Sequence, residues 1–241
     1  MAARLYVTSL SNPSKAAAAM ASYKRLPYRR VKLLAGFHPM LVRAAGFHGR
    51  TVPALELEGR HVQGSLEISR ALDEAIAERP LFPPEPFARR SVEDAERWGH
   101  DELQPIPRRI FRWAVVRDRA LRRWVAADVA GLPAPAVMAA LTKPVAARRS
   151  ADAGGDEATI REDVIRLPGL LDHVDALIGA GVLGTDQPNA ADFQILSSVR
   201  VLLDFKALPD VEQRPGARAA RRLFPDWEGE MPYFEIPGAP G

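Results

Sequence analysis

The 241-residue chain contains no cysteine. That absence excludes disulfides, thiolate metal sites and a cysteine nucleophile belonging to the chain, and it disfavours the disulfide-stapled class of secreted proteins. Any thiol chemistry must use a thiol from outside. Histidine is scarce: His38, His48, His61, His100 and His173 are the full set, and they lack metal-ligand spacing with one another. No metal is expected. Long apolar runs are also missing. The longest, Val125 to Leu141, carries Asp128 and two prolines, so it cannot supply the roughly 20 continuous apolar residues that span a bilayer. The opening M-A-A-R-L-Y-V-T-S-L-S has one charge and then a polar run, where a signal peptide needs a long apolar one. It reads as a strand, and a cytoplasmic protein without a membrane partner is expected. The net charge of +3 comes mostly from arginines such as Arg108, Arg109, Arg112, Arg122, Arg123, Arg148 and Arg149, with Asp and Glu between them. Aromatic interleaving and groove-reading motifs are lacking, so these arginines read as solvated helix faces rather than a nucleic-acid surface.

What is present describes a globular chain of two textures. The length exceeds one typical domain, and a 47% hydrophobic and 26% charged composition is ordinary for soluble proteins. Within residues 4 to 80, Arg4 to Thr8 is a compact apolar strand candidate. Ser14 to Arg25, with its Ala16 to Ala19 block, is a strong helix former, and Tyr28 to Leu34 is a second strand. A poorly patterned segment from Ala35 to Arg50 follows. Val52 to Leu57, the turn Glu58-Gly59 and His61-Val62 form a hairpin signal. Ser65 to Glu78 places Leu66, Ile68, Ser69, Leu72 and Ile76 near one helical face, with Ser65 as a natural cap. The order is β-α-β, then β-β-α.

Prolines in P-L-F-P-P-E-P-F-A forbid helix and favour a stiff linker. Beyond it the helix-like stretches are Ser91–Asp118, Ala120–Val129, Ala136–Arg149, Ile160–Ala180 and Ala190–Ala207. Pro105 and Pro107 should kink the first of them. Ser150 to Asp156, polar and glycine-rich, reads as a mobile connection. The domains expected are 1–80, 89–225 and a tail over 226–241.

Four short segments carry the chemistry. Ser11-Asn12-Pro13-Ser14 sits where the first strand ends and the first helix begins, so free N–H groups and the positive end of the helix dipole favour an anion there. Ser11 or Ser14 also serves as a plain helix cap. A capping hydroxyl can still donate to a thiolate. Moving a thiol pKa from about 8.5 to near 7 needs only roughly 2 kcal/mol of preferential anion binding. Val52-Pro53 suits either a trans edge proline or a cis turn. Gln63-Gly64-Ser65, at a strand-to-helix junction, could hold a carboxylate or simply cap. Asn189 and Asp192 can exchange side-chain-to-backbone hydrogen bonds as a capping box.

In this order, L-Y-V-T-S-L-S-N-P-S-K-A-A-A-A, G-R-T-V-P-A-L, Q-G-S-L-E-I and Q-P-N-A-A-D-F resemble the cytosolic glutathione transferase superfamily over residues 4 to 225. The resemblance implies a thioredoxin-like α/β N-terminal domain and an all-α C-terminal domain. It puts Ser11 at the place of the catalytic residue in serine- and cysteine-type members, with serine at both cysteine places of the thioredoxin C-x-x-C site. Val52 matches the residue before the cis-proline that pairs by backbone with the cysteinyl part of glutathione. Ser65 matches the serine that holds the γ-glutamyl end. Gly64 departs from the family, whose acidic or amide residue stands there, and Gln63 is the neighbour that would compensate. His38 falls where plant-type members carry a histidine for the glycyl carboxylate.

The resemblance implies a transferase that binds glutathione as co-substrate, activates its thiol and works as a homodimer in detoxification. The electrophile would lie near Trp98, Glu102 and Ile106, which fall at helical spacing with Arg109 and are equally ordinary as packing residues. The alternatives are a non-catalytic carrier of apolar ligands on the same fold and a transferase using another low-molecular-weight thiol.

Overall fold

The computed structural model describes residues 3–34, 36–227 and 231–239. Strands β1 (Ala3–Val7), β2 (Tyr28–Lys32), β3 (Ala54–Leu57) and β4 (Arg60–Gln63) form one mixed sheet in the order β2-β1-β3-β4. β1 runs parallel to β2 and antiparallel to β3, and β3 pairs antiparallel with β4. The two-residue period of β1 explains its central place: Leu5 and Val7 face the main core, while Tyr6 joins Val42, Phe47 and Ala54 on the other side. A strand buried on both faces needs such continuous apolar character.

Helix α1 (Asn12–Tyr23) begins at Ser11, whose side chain accepts from the Ser14 N–H, and its Ala16, Ala17, Met20 and Ala21 are buried. Small side chains let it lie close to both the sheet and the helical domain. Helix α2 (His38–Ala44) occupies the segment that carried no helical period in the sequence, and Val42 is its buried apolar anchor. Helix α3 (Ser65–Ala75) closes the domain.

The second half contains α4 (Pro86–Trp98), α5 (Pro105–Arg117), α6 (Arg119–Trp124), α7 (Pro135–Leu141), α8 (Lys143–Ala151), α9 (Glu157–Gly179), α10 (Ala190–Leu202) and α11 (Pro215–Leu223). Among the described residues it has no strand. The expected interruption before the proline pair is a π-helical turn over Gly99–Leu103, which joins α4 to α5. α10 is buried along nearly its whole length and starts at the expected capping box of Asn189 and Asp192.

The sequence expectations need three corrections. Ser150 to Asp156 is a closed turn: Gly155 N–H donates to the Ser150 carbonyl at 2.8 Å, and Ser150 Oγ donates back to the Gly155 carbonyl at 3.1 Å. A Ser-Gly pair can make this turn with main-chain bonds alone, which composition does not show. The described part of the tail is also packed, with Met231, Phe234 and Ile236 buried and the Phe234 ring 5.3 Å from Phe205. Residues 228–230 and 240–241 of that tail lie outside the described set. Finally, α11 is a helix of its own, with Gly216, Ala217, Ala219 and Ala220 buried.

The two halves meet through buried polar contacts. Asn12 Nδ2 donates to Ser198 Oγ at 2.9 Å. Ser69 Oγ donates to the Glu96 carboxylate at 2.7 Å, and Arg70 pairs with the same group. Burial nevertheless pushes the Glu96 carboxyl above the ordinary range.

Candidate functional site

Sheet register gathers three of the four segments, and His38 with them. Tyr6 pairs with Ala54, Ala54 pairs with Gln63, and Val7 pairs with Lys32. The chain therefore leaves β1 toward Ser11, enters β3 from Val52-Pro53, leaves β4 into Gly64-Ser65 and leaves β2 toward His38, all at one end of the sheet. Two helix N-termini, those of α1 and α3, open at that end.

Ser11 is half-buried at the cap of α1, and its Oγ accepts from Ser14 N–H at 3.3 Å. An accepting cap leaves the hydroxyl proton available to donate. The Ser14 hydroxyl is buried and has no partner among the described residues. Ser11, not Ser14, is the cap.

The Val52–Pro53 peptide bond is cis. Neither main-chain group of Val52 forms a hydrogen bond among the described residues, whereas the Pro53 carbonyl accepts from Gly64 N–H at 3.0 Å. Val52 thus offers one donor and one acceptor to an extended peptide.

Ser65 begins α3, and its Oγ is buried without a partner among the described residues. Gly64 before it has φ of +103°, a left-handed conformation that favours glycine. The backbone itself therefore explains the departure at this position. A side chain at 64 would also run into the Glu67 carboxylate, which folds back over Gly64. Gln63 is used otherwise than expected: its Oε1 accepts from Gly49 N–H at 2.8 Å and its Nε2 donates to the Thr51 carbonyl at 2.6 Å. Both ends of this amide clamp the loop that leads to Val52.

His38 is buried, with two Arg149 guanidinium nitrogens each 3.4 Å from one of its ring nitrogens. Both guanidinium N–H groups are directed at the ring, so Arg149 approaches His38 by its N–H edge. Burial first, then the charges of Arg149 and Arg112, push the His38 pKa down to about 4. The ring is neutral at pH 7. It brings no positive charge to a carboxylate, and the charge at this place belongs to Arg149. Sequence reasoning assigned Arg149 to a solvated helix face, because nothing local shows that α8 folds over α2.

The three residues proposed for an electrophile are engaged in packing. Ile106 is fully buried in the main core. The Trp98 ring lies 4.3 Å from His173. Glu102 pairs with Arg166 at 2.7 Å, and the neighbouring Arg109 holds Asp163 through two bonds of 2.7 and 2.5 Å. These contacts fix α4 and α5 against α9. No described contact brings the three together with Ser11. Among the described residues, no group of three His, Asp or Glu side chains is arranged to hold a metal ion, and no helix is long and apolar enough to cross a membrane.

A four-stranded mixed sheet with two helix N-termini and a cis-proline at one end, followed by a helical half, defines a thioredoxin-like domain joined to an all-helical one. Residues 5–80 match the family model described as glutathione S-transferase, N-terminal domain. Poplar glutathione transferase F1 superposes with a TM-score of 0.62 at 15% identity, over 95% of this chain and 94% of that one. Glutathione transferase F7 from Populus trichocarpa gives 0.61 at 18% identity, covering 93% of each chain. A glutathione S-transferase from Rhodospirillum rubrum gives 0.60 at 18% identity, over 95% of this chain and 94% of that one. No curated protein matches significantly in sequence. Residues 5–80 thus match the family's N-terminal domain, and the chain as a whole shares the fold of these glutathione S-transferases.

Proposed function

We propose that the protein is a glutathione transferase that binds glutathione along Val52 and Ser65 and activates its thiol at Ser11. The observation that carries this is one end of a sheet holding a hydroxyl with a proton to donate, an unpaired main-chain donor and acceptor, and an orphaned buried hydroxyl. Each matches one demand of an extended γ-glutamyl tripeptide. The cysteinyl unit needs backbone pairing, the γ-glutamyl carboxylate needs donors at a helix N-terminus, and the sulfur needs a donor that favours its anion. The Glu67 carboxylate stands where a side chain at 64 would project, which suits the γ-glutamyl ammonium.

In the reaction the glutathione thiol loses its proton to water, and the thiolate is held by the Ser11 hydroxyl and the N-terminus of α1. The sulfur lone pair forms the S–C bond while the bond to the leaving group breaks, and that group departs with the electron pair. The chain's part is to lower the thiol pKa and to hold the sulfur beside the electrophile. A cytoplasmic homodimer acting in detoxification accords with this reading.

A second reading is favoured by Gln63, whose amide is held by Gly49 and Thr51 and cannot serve the γ-glutamyl amine. In it the thiol is another low-molecular-weight compound, or the site carries apolar ligands without turnover.

Ser11→Ala tests the first reading. Loss of a charge-assisted hydrogen bond of about 1.5–3 kcal/mol should raise the bound thiol pKa by one or two units. Turnover of a general aryl halide near pH 7 should fall at least tenfold, while glutathione affinity by calorimetry changes far less. The cap is lost too, at a cost of about 1 kcal/mol of stability. Ser11→Asp, which keeps the cap but has no proton to give, should stay folded and equally inactive. Equal activity in wild type and Ser11→Ala would leave Ser11 as a cap only. No glutathione binding by the wild type would favour the second reading.

A further inference from the structure

Arg112 and Arg149 of the helical domain lie beside His38, with Arg108 next to Arg112 on α5, and none of the three has a carboxylate within ion-pair distance among the described residues. Arg149, on α8, directs Nη1 and Nη2 at the His38 ring nitrogens, each at 3.4 Å. Arg112, on α5, donates through Nη1 to the Arg149 carbonyl at 3.4 Å. Arg108 lies one helical turn before Arg112 on α5 and forms no hydrogen bond or ion pair among the described residues, its outer part remaining in water. The neighbouring Arg109, by contrast, is matched by Asp163. The space above Gly36 is closed by Val145 of α8, 3.8 Å from where a Cβ would stand, so the cluster bridges the two domains beside α2.

Half-buried like charges are costly unless something neutralises them. Here burial is the main cause that lowers the pKa of all three guanidinium groups, that of Arg112 to about 10, with Arg149 and then Arg108 adding to it. Asp152 is the acidic group that opposes this, and it stands in solvent beyond ion-pair distance. His38, neutral, holds the Arg149 guanidinium in place without cancelling its charge. A cluster of this kind is completed by an anion from outside, and planar guanidinium forks suit the two oxygens of a carboxylate or sulfonate.

We propose that Arg108, Arg112 and Arg149 form an interdomain anion site that binds the carboxylate or sulfonate group of an aromatic second substrate. The assignment of the occupant as the electrophile rests on the transferase reading; the anion site itself does not. Calorimetric titration of the full chain with 3-nitrobenzoate and with uncharged nitrobenzene separates the two. Without glutathione, the wild type should bind the benzoate at least tenfold more tightly. Arg112→Ala and Arg149→Ala should each erase most of that preference while leaving nitrobenzene affinity within twofold. Arg108→Ala, at an exposed position, keeps the test intact if the other two variants fold poorly, and should weaken the benzoate alone by several-fold. Saturating glutathione should leave benzoate affinity within twofold. Equal affinity for both probes, or equal weakening of both in the variants, would overturn the site. Competition by glutathione would overturn the assignment to the second substrate, because the cluster would then hold the peptide's own carboxylate. Failure of glutathione to bind would sink the transferase reading while the benzoate titrations still decide the anion site.

Discussion

Two serines show how one side chain takes opposite meanings from its surroundings. The Ser14 and Ser65 hydroxyls are both buried without partners among the described residues. Ser65 sits at the mouth of α3 beside Gly64, where a ligand group can reach it, while Ser14 lies under the first turn that Ser11 caps. A buried hydroxyl without a partner destabilises by about 1–3 kcal/mol relative to an apolar group of its shape. Ser65→Ala should therefore leave the free protein as stable or more stable by thermal melting, and reduce glutathione affinity at least tenfold by calorimetry. Ser14→Ala should match the first effect without the second. Unchanged affinity in Ser65→Ala would remove Ser65 from the site. Ser11 is legible in sequence because a cap stands at a set offset from its helix, whereas Ser65, expected as the cap of α3, is its first helical residue and Gly64 holds the cap position. The role of Gln63 is not, since its partners Gly49 and Thr51 are 14 and 12 residues away.

At the scale of elements, the junction of α4 and α5 depends on one glycine. An added Cβ at Gly99 would fall inside the van der Waals envelope of Ile195 Cγ1 on α10, with Gln194 Cγ also close. The π turn that follows widens the helix ahead of Pro105, which has no N–H to give. Gly99→Ala should cost about 1–3 kcal/mol through overpacking, read from denaturant midpoints at constant slope. An unchanged midpoint would show that α10 can shift. Proline placement announced this break, but the close helix approach that makes Gly99 necessary is a tertiary fact. α2 escaped the hydrophobic pattern for a similar reason. It has seven residues, and its packing rests on Val42 and His38 while Met40 and Leu41 face outward.

For the molecule as a whole, Asp192 joins fold and pH. Its carboxylate accepts from Gly184 N–H at 2.7 Å and Asn189 N–H at 3.0 Å, yet burial raises its pKa to about 6. A carboxyl whose folded pKa lies above its unfolded value of 3.8 adds stability that is full below that lower value and is lost as pH rises through about 6. The advantage of wild type over Asp192→Asn should therefore grow as pH falls from 7 to 4, by up to about 3 kcal/mol. Denaturant unfolding of both proteins across that range measures it. A constant difference would place the Asp192 pKa at its ordinary value.

Local and periodic features were determined by sequence alone: the order of the strands, the Ser11 cap, the capping box and the place of Val52-Pro53, whereas the proline segment expected to exclude helix gives up Pro86, Phe87 and Ala88 to the first turn of α4. Each depends on a residue and its near neighbours, through φ preference, hydrogen bonding at a cap or a face of period two or 3.6. Tertiary structure decided the rest. It diverted the Gln63 amide to a loop, made His38 a neutral support for Arg149, put Ile106 in the core, Trp98 against His173 and Glu102 in an ion pair with Arg166, and brought Arg149 of α8 beside Arg112 of α5. Those outcomes follow from which surfaces are buried against each other. Burial is set by elements far apart in the chain, and it decides whether an arginine is a solvated surface charge or a cation in want of an anion.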